Sequence, residues 1–146
     1  MDALSLKIVF LDRDSVSLET LLRKPVFAHE WVQYPRTSST EAAERIADAD
    51  IVVVNKVKID AETLSKAPRL KLLAVAATGT DNIDLQACQQ RGIVVSNVRN
   101  YAVHTVPEHT FALIFALRRS LCAYRDAVKA GRWQEAAQFC FFDHPI

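Results

Sequence analysis

Short runs of β-branched and aliphatic residues recur along this chain, with helical patterns between them. That alternation constrains the fold more than any other feature. KIVFLD (7–12), DIVVVNK (50–56), LKLLAVAATG (70–79) and IVVSN (93–97) are apolar at consecutive positions rather than at alternate ones. Such strands are buried on both faces, as in a parallel sheet covered by helices. HEWVQYP (29–35) alternates, stops at a proline and reads as a fifth strand.

The intervening segments carry helical spacing. SVSLETLLRK (15–24) places leucines at 18, 21 and 22 and predicts a helix. STEAAERIADA (39–49) opens with serine and threonine, carries early acids, and sets Ala42, Ala43, Ile46 and Ala47 on one face. IDAETLSKAP (59–68) predicts a short helix capped by Asp60 and stopped by Pro68. DLQACQQRG (84–92) has Asp84 as N-cap and Gly92 where a left-handed residue ends a helix. The fold class is therefore α/β, a flavodoxin-like, doubly wound parallel sheet. In such sheets ligands sit outside the carboxyl ends of the strands. Those ends are Asp12, Asn55–Lys56, Thr78–Gly79 and Asn97.

The last third differs. Residues 105–131 read as one long helix, with Thr105 and Glu108 forming a T-x-x-E capping box and Pro107 in the first turn. About 25 helical residues would reach roughly 37 Å. From 111 to 117 the pattern FALIFAL is apolar all round, so this stretch is expected to be enclosed or to meet a second body. A homo-oligomer through helix 105–130 is the expectation that follows.

Composition excludes several classes. Net charge is +1, which suggests no nucleic-acid partner and no membrane surface. FALIFAL, at seven residues, is far short of the ~20 that span a bilayer. The N-terminus lacks a signal pattern, so a cytoplasmic protein is expected. Three cysteines (88, 122 and 140) without CxxC spacing suggest neither a disulfide framework nor zinc. Asp81, Asn82 and Asp84 suit turn and N-cap roles better than a metal, and no metal site is expected.

The stretch VAATGTDNID (75–84) runs a core strand into Thr-Gly-Thr. Two readings stand. One is an ordinary βα turn with glycine supplying a positive φ. The other is a set of backbone N–H groups held by a rigid strand end, which accept a carboxylate through charge-assisted bonds.

VAATGTDNIDLQACQQRGIVVSNV, YAVHTVPEHTFALIFALRR, AVKAGRW and FCFFDHPI together resemble the D-isomer-specific 2-hydroxyacid dehydrogenases, near the glycerate dehydrogenase/hydroxypyruvate reductase branch. The resemblance implies NAD(P)-dependent interconversion of a small D-2-hydroxy acid and its 2-keto acid. It implies a substrate-binding domain over 1–104, an interdomain crossing helix over 105–131, and a tail over 132–146 leading to an NAD-binding domain. Family catalytic arginine, glutamate and histidine map onto no residue here; His29, His104, His109 and His144 are not candidates by position. The three glycines, Gly79, Gly92 and Gly131, form no G-x-G-x-x-G. The chain alone is therefore expected to be inactive and to hold no NAD or NADP tightly.

By the same resemblance, Thr78 and Gly79 would hold the substrate carboxylate, with Thr78 also near the nicotinamide. Lys56 and Asn55 would face the same cleft, although a solvated lysine after a strand is the plainer reading of Lys56. Asn97 and Tyr101 would stand at the hinge, as ligand contacts or turn residues. Thr105 and Val106 match positions that approach the cofactor. A stand-alone carboxylate-binding or association module is the alternative to an enzyme part.

Overall fold

The computed structural model describes residues 5–137. They divide between Arg99 and Asn100 into two compact units. The first unit holds five strands: β1 (Leu6–Phe10), β2 (His29–Gln33), β3 (Ile51–Val54), β4 (Leu72–Val75) and β5 (Val94–Asn97). All pair in parallel, in the order β2-β1-β3-β4-β5. This is the expected flavodoxin-like order.

Three helices connect the strands: α1 (Ser39–Ile46), α2 (Ala61–Ser65) and α3 (Leu85–Gln90). Their connections β2→β3, β3→β4 and β4→β5 cross the sheet in one direction, so right-handed crossovers bring them to one face. The core agrees. Val9, Leu11, Val52, Val54, Leu73 and Val75 from the sheet form one buried cluster with Ala42, Ile46, Leu64 and Cys88 from these helices. Caps follow the sequence. The Asp60 carboxylate accepts the Thr63 N–H at 3.0 Å, and Asp84 accepts that of Ala87 at 2.9 Å. Gly92 has φ +68. A capping box forms at Ser38 and Glu41, starting α1.

Three expectations fail. Residues 15–24 form no helix; only a 3-10 turn, Arg13–Ser15, precedes a run of bends and turns. The Arg13 guanidinium donates to the carbonyls of Val16, Ser17 and Thr20, the groups a helix would use internally. The Ser17 hydroxyl also accepts the Glu19 N–H, a local bond that competes with helix formation. Leu18 and Leu21 are left exposed.

In the second unit, 105–131 is not one helix. It comprises α4 (Thr105–Arg118) and α5 (Leu121–Lys129), followed by the single turn α6 (Arg132–Glu135). The break lies at Ser120, which is left-handed with φ 49 and ψ 39. Its N–H bonds three residues back, to Leu117, tightening the end of α4. Fourteen residues make α4 about 21 Å long, well short of the length expected from an unbroken helix. The capping box at Thr105 and Glu108 is also absent. His104 precedes α4 with helical φ/ψ, and a turn over 101–104 supplies carbonyls instead. Val106 donates to Ala102 and Glu108 to His104. Phe111, Leu113, Ile114, Phe115 and Leu117 are exposed, and the Phe111 and Phe115 rings stack at 6.2 Å. Among the described residues no helix is long and apolar enough to cross a membrane.

Candidate functional site

Parallel strands place the loops that follow β1, β3, β4 and β5 along one edge. Two backbone turns dominate that edge, one after β3 and one after β4.

The turn after β3 is organised by Asp12, a residue just past the end of β1 and only 6% exposed. Its carboxylate accepts the N–H of Asn55 at 2.9 Å, of Lys56 at 2.5 Å and of Val57 at 3.3 Å. Three successive N–H groups converging on one anion form a nest. Asn55 itself donates through Nδ2 to the Ser15 carbonyl at 3.3 Å, while its Oδ1 is buried without a partner. An unpaired buried acceptor of this kind costs roughly 1–3 kcal/mol. Lys56 is exposed and makes no ion pair among the described residues. A cleft of about 320 Å³ beside it is lined by Asp12, Asp14, Ser15, Arg36, Thr37 and Val57, among others.

The turn after β4 is held differently. The Thr78 hydroxyl donates to the Val98 carbonyl at 2.9 Å, and Asn97 Nδ2 donates to the Thr78 carbonyl at 2.7 Å. Val98 donates its N–H to the Ala77 carbonyl at 3.0 Å. These bonds occupy the loop's side-chain hydroxyl and carbonyl oxygens. Among the described residues, no protein acceptor takes the N–H of Thr78 or Gly79. Both residues are exposed, so two adjacent donors without a protein partner stand beside a fixed strand end.

Gly79 does not have the positive φ that a plain turn reading supposed. A Cβ there would lie 2.7 Å from Asp81 Oδ1, the end of an exposed side chain that can move aside, so neither φ nor a fixed contact demands glycine at this position. The two turns are joined. Asn82 Nδ2 donates to the Val57 carbonyl at 2.9 Å, Ile59 N–H to Asn82, and Asp84 N–H to Ile59. Asn82 and Asp84 are thus structural, as expected. Among the described residues no cluster of His, Cys, Asp and Glu could hold a metal.

Of the sequence-predicted residues, Thr78, Gly79 and Asn97 come together directly, and Asn55 and Lys56 share the same edge. Tyr101, Thr105 and Val106 lie in the second unit, exposed at and before the start of α4. Asp12 was recognised from sequence only as a strand end. Its signal is a lone acid closing an apolar strand, which a buried carboxylate and a solvated one share.

Comparison with known proteins bears on what this edge belongs to. Residues 8–139 match the family model described as D-isomer specific 2-hydroxyacid dehydrogenase, catalytic domain. The chain is 49% identical to the glycerate dehydrogenase of Methylorubrum extorquens, over 96% of this chain and 44% of that one. It is 32% identical to the hydroxypyruvate reductase of Blautia hydrogenotrophica, over 97% and 45%. It therefore spans a little under half the length of these relatives. Among solved structures it resembles D-lactate dehydrogenase from Aquifex aeolicus, complexed with NAD and lactic acid. The TM-score is 0.65 and the identity 27%, over 93% of this chain and 41% of that one. This chain belongs to the D-isomer-specific 2-hydroxyacid dehydrogenase family and is glycerate dehydrogenase-like in sequence.

Proposed function

We propose that this chain supplies the substrate-carboxylate cradle of an NAD(P)-dependent D-2-hydroxyacid dehydrogenase, with glycerate and hydroxypyruvate as the preferred pair. The observation that carries the reading is the pair of N–H groups at Thr78 and Gly79 that no protein acceptor takes among the described residues, on a loop already clamped by Asn97 and Val98. Donors fixed before the ligand arrives bind an anion without ordering cost. The Lys56 side chain adds a positive charge along the same edge, and Asn97 and Tyr101 complete the set of substrate-side residues, while Asn55, with its N–H on Asp12 and its side-chain amide on Ser15, holds the turn that carries Lys56. Thr78, Thr105 and Val106 approach the cofactor, NAD or NADP.

The residues present do not fit a dinucleotide pyrophosphate. That group needs close backbone approach at a glycine-rich helix start, and Gly79, Gly92 and Gly131 are too far apart in sequence to make one. No hydride step is assigned to the residues of this chain. Calorimetric titration of the 146-residue protein with D-glycerate is expected to give saturable millimolar binding, with no oxidation of NADH when hydroxypyruvate is supplied. A flat trace for D-glycerate, hydroxypyruvate and glyoxylate alike would remove the cradle reading. Turnover by the pure chain would remove the assignment of hydride transfer to other residues.

The exposed apolar residues of α4 favour a second reading, that the chain associates through this helix. Light scattering at high concentration is expected to find dimers or larger species; a clean monomer would refute it.

A further inference from the structure

We propose that Asp12 is a positioning residue that decides where a ligand's carboxylate can bind on this edge. The edge carries two sets of backbone donors, one converging on Asp12 and one without a protein acceptor among the described residues. The set after β3, the N–H groups of Asn55, Lys56 and Val57, is occupied by the protein's own carboxylate at 2.5–3.3 Å. The set after β4, at Thr78 and Gly79, has no protein acceptor among the described residues. The first set is the richer, with three donors against two, and Lys56 lies within it. Left open, it would compete for the same small carboxylates. Asp12 closes it with an internal anion and so directs the ligand to the β4 turn.

The same contact fixes geometry. With its N–H group held by Asp12 from behind, Val57 offers its carbonyl to Asn82 Nδ2. Asn82 sits three residues beyond Gly79, and Ile59 and Ile83 pair as an isolated parallel bridge. A continuous path of hydrogen bonds thus runs from Asp12 through the β3 turn to the β4 turn. Asp12 is itself anchored, because the N–H of Leu11, which follows β1, bonds the Val53 carbonyl at 3.0 Å. The selection of the β4 turn rests on the proposed function.

The test vacates the β3 donors and offers a free carboxylate. Asp12→Gly in the 146-residue chain, labelled with ¹⁵N, is titrated with sodium formate at neutral pH. Formamide is the neutral control, and wild type is run in parallel. The expected result is saturable formate-dependent shifts of the Asn55, Lys56 and Val57 amides in the variant, in the millimolar range that three non-hydrogen atoms allow. Wild type should shift at Thr78 and Gly79 and not at 55–57, and formamide should shift neither set. Asp12→Ser, whose hydroxyl satisfies one donor, is read in the same way if Asp12→Gly does not fold.

A folded variant whose 55–57 amides ignore formate overturns the proposal, since the vacated donors would then not compete for a carboxylate. It is equally overturned if neither variant folds and saturating formate restores neither. Failure of the cradle reading is separate: it would appear as wild-type Thr78 and Gly79 amides that do not respond to formate, whatever the variants do.

Discussion

Replacing Asn97 by Ala removes one of the bonds that hold the β4 turn, the 2.7 Å contact from its side-chain amide to the Thr78 carbonyl. Both partners are neutral and solvent-accessible, so the net loss is about 1 kcal/mol. The strand beneath is secured elsewhere: β4 pairs with both neighbours, and Leu73 and Val75 are buried. The loss therefore falls on local opening of the turn rather than on global unfolding. One kcal/mol is a factor of about five in the opening equilibrium. If Thr78 and Gly79 bind the carboxylate only in the clamped arrangement, the apparent dissociation constant for D-glycerate rises by up to about fivefold. Calorimetry reads the affinity, and exchange of the Val98 amide, which is bonded to the Ala77 carbonyl across the same clamp, reads the opening. Thr78→Val, which removes the hydroxyl bond to Val98, should act in the same direction. The pair should be non-additive, because both bonds hold one loop. Faster exchange at Val98 with unchanged affinity would refute the reasoning, since the position of the turn would then not govern binding.

Three further outcomes follow from the packing. Leu73→Ala empties a fully buried site in the central sheet and should cost about 2–5 kcal/mol in urea unfolding. Gly92→Ala meets no atom within 4 Å but forces φ +68 on a Cβ, so it should cost about 1 kcal/mol from backbone strain alone. Burial pushes the Asp50 carboxyl up, but the Lys7 N–H and the Arg69 guanidinium at 2.6 Å outweigh it and hold the group below its ordinary range. A depressed folded value stabilises the protein above the unfolded pKa of about 4, and that contribution is lost as pH falls through the folded value. Arg69→Ala should therefore move the acid-unfolding midpoint to higher pH, and an unmoved midpoint would count against the assignment.

Consecutive apolar residues at 51–54 and 72–75 announced a parallel sheet because burial on both faces leaves no polar position. The caps at Asp60 and Asp84 and the left-handed Gly92 were legible because each is decided by a few adjacent atoms. The segment 15–24 misled for a reason outside its own periodicity: Arg13 takes three of its carbonyls, and no leucine spacing registers that. Ser120 was invisible for a similar reason, as a serine within an amphipathic pattern carries no mark of a left-handed break. Thr78–Gly79 and Asn97 could be singled out because they stand at strand ends, and the bond between Asn97 and Thr78 joins those ends. The role of Asp12 could not, because its partners lie more than forty positions away in sequence.

The most direct test of the account is the amide spectrum of the ¹⁵N-labelled chain titrated with D-glycerate. The expected result is saturable shifts centred on Thr78 and Gly79, with much smaller shifts at the Asn55, Lys56 and Val57 backbone amides, which Asp12 already holds. Shifts that saturate elsewhere and leave Thr78 and Gly79 unmoved would contradict it.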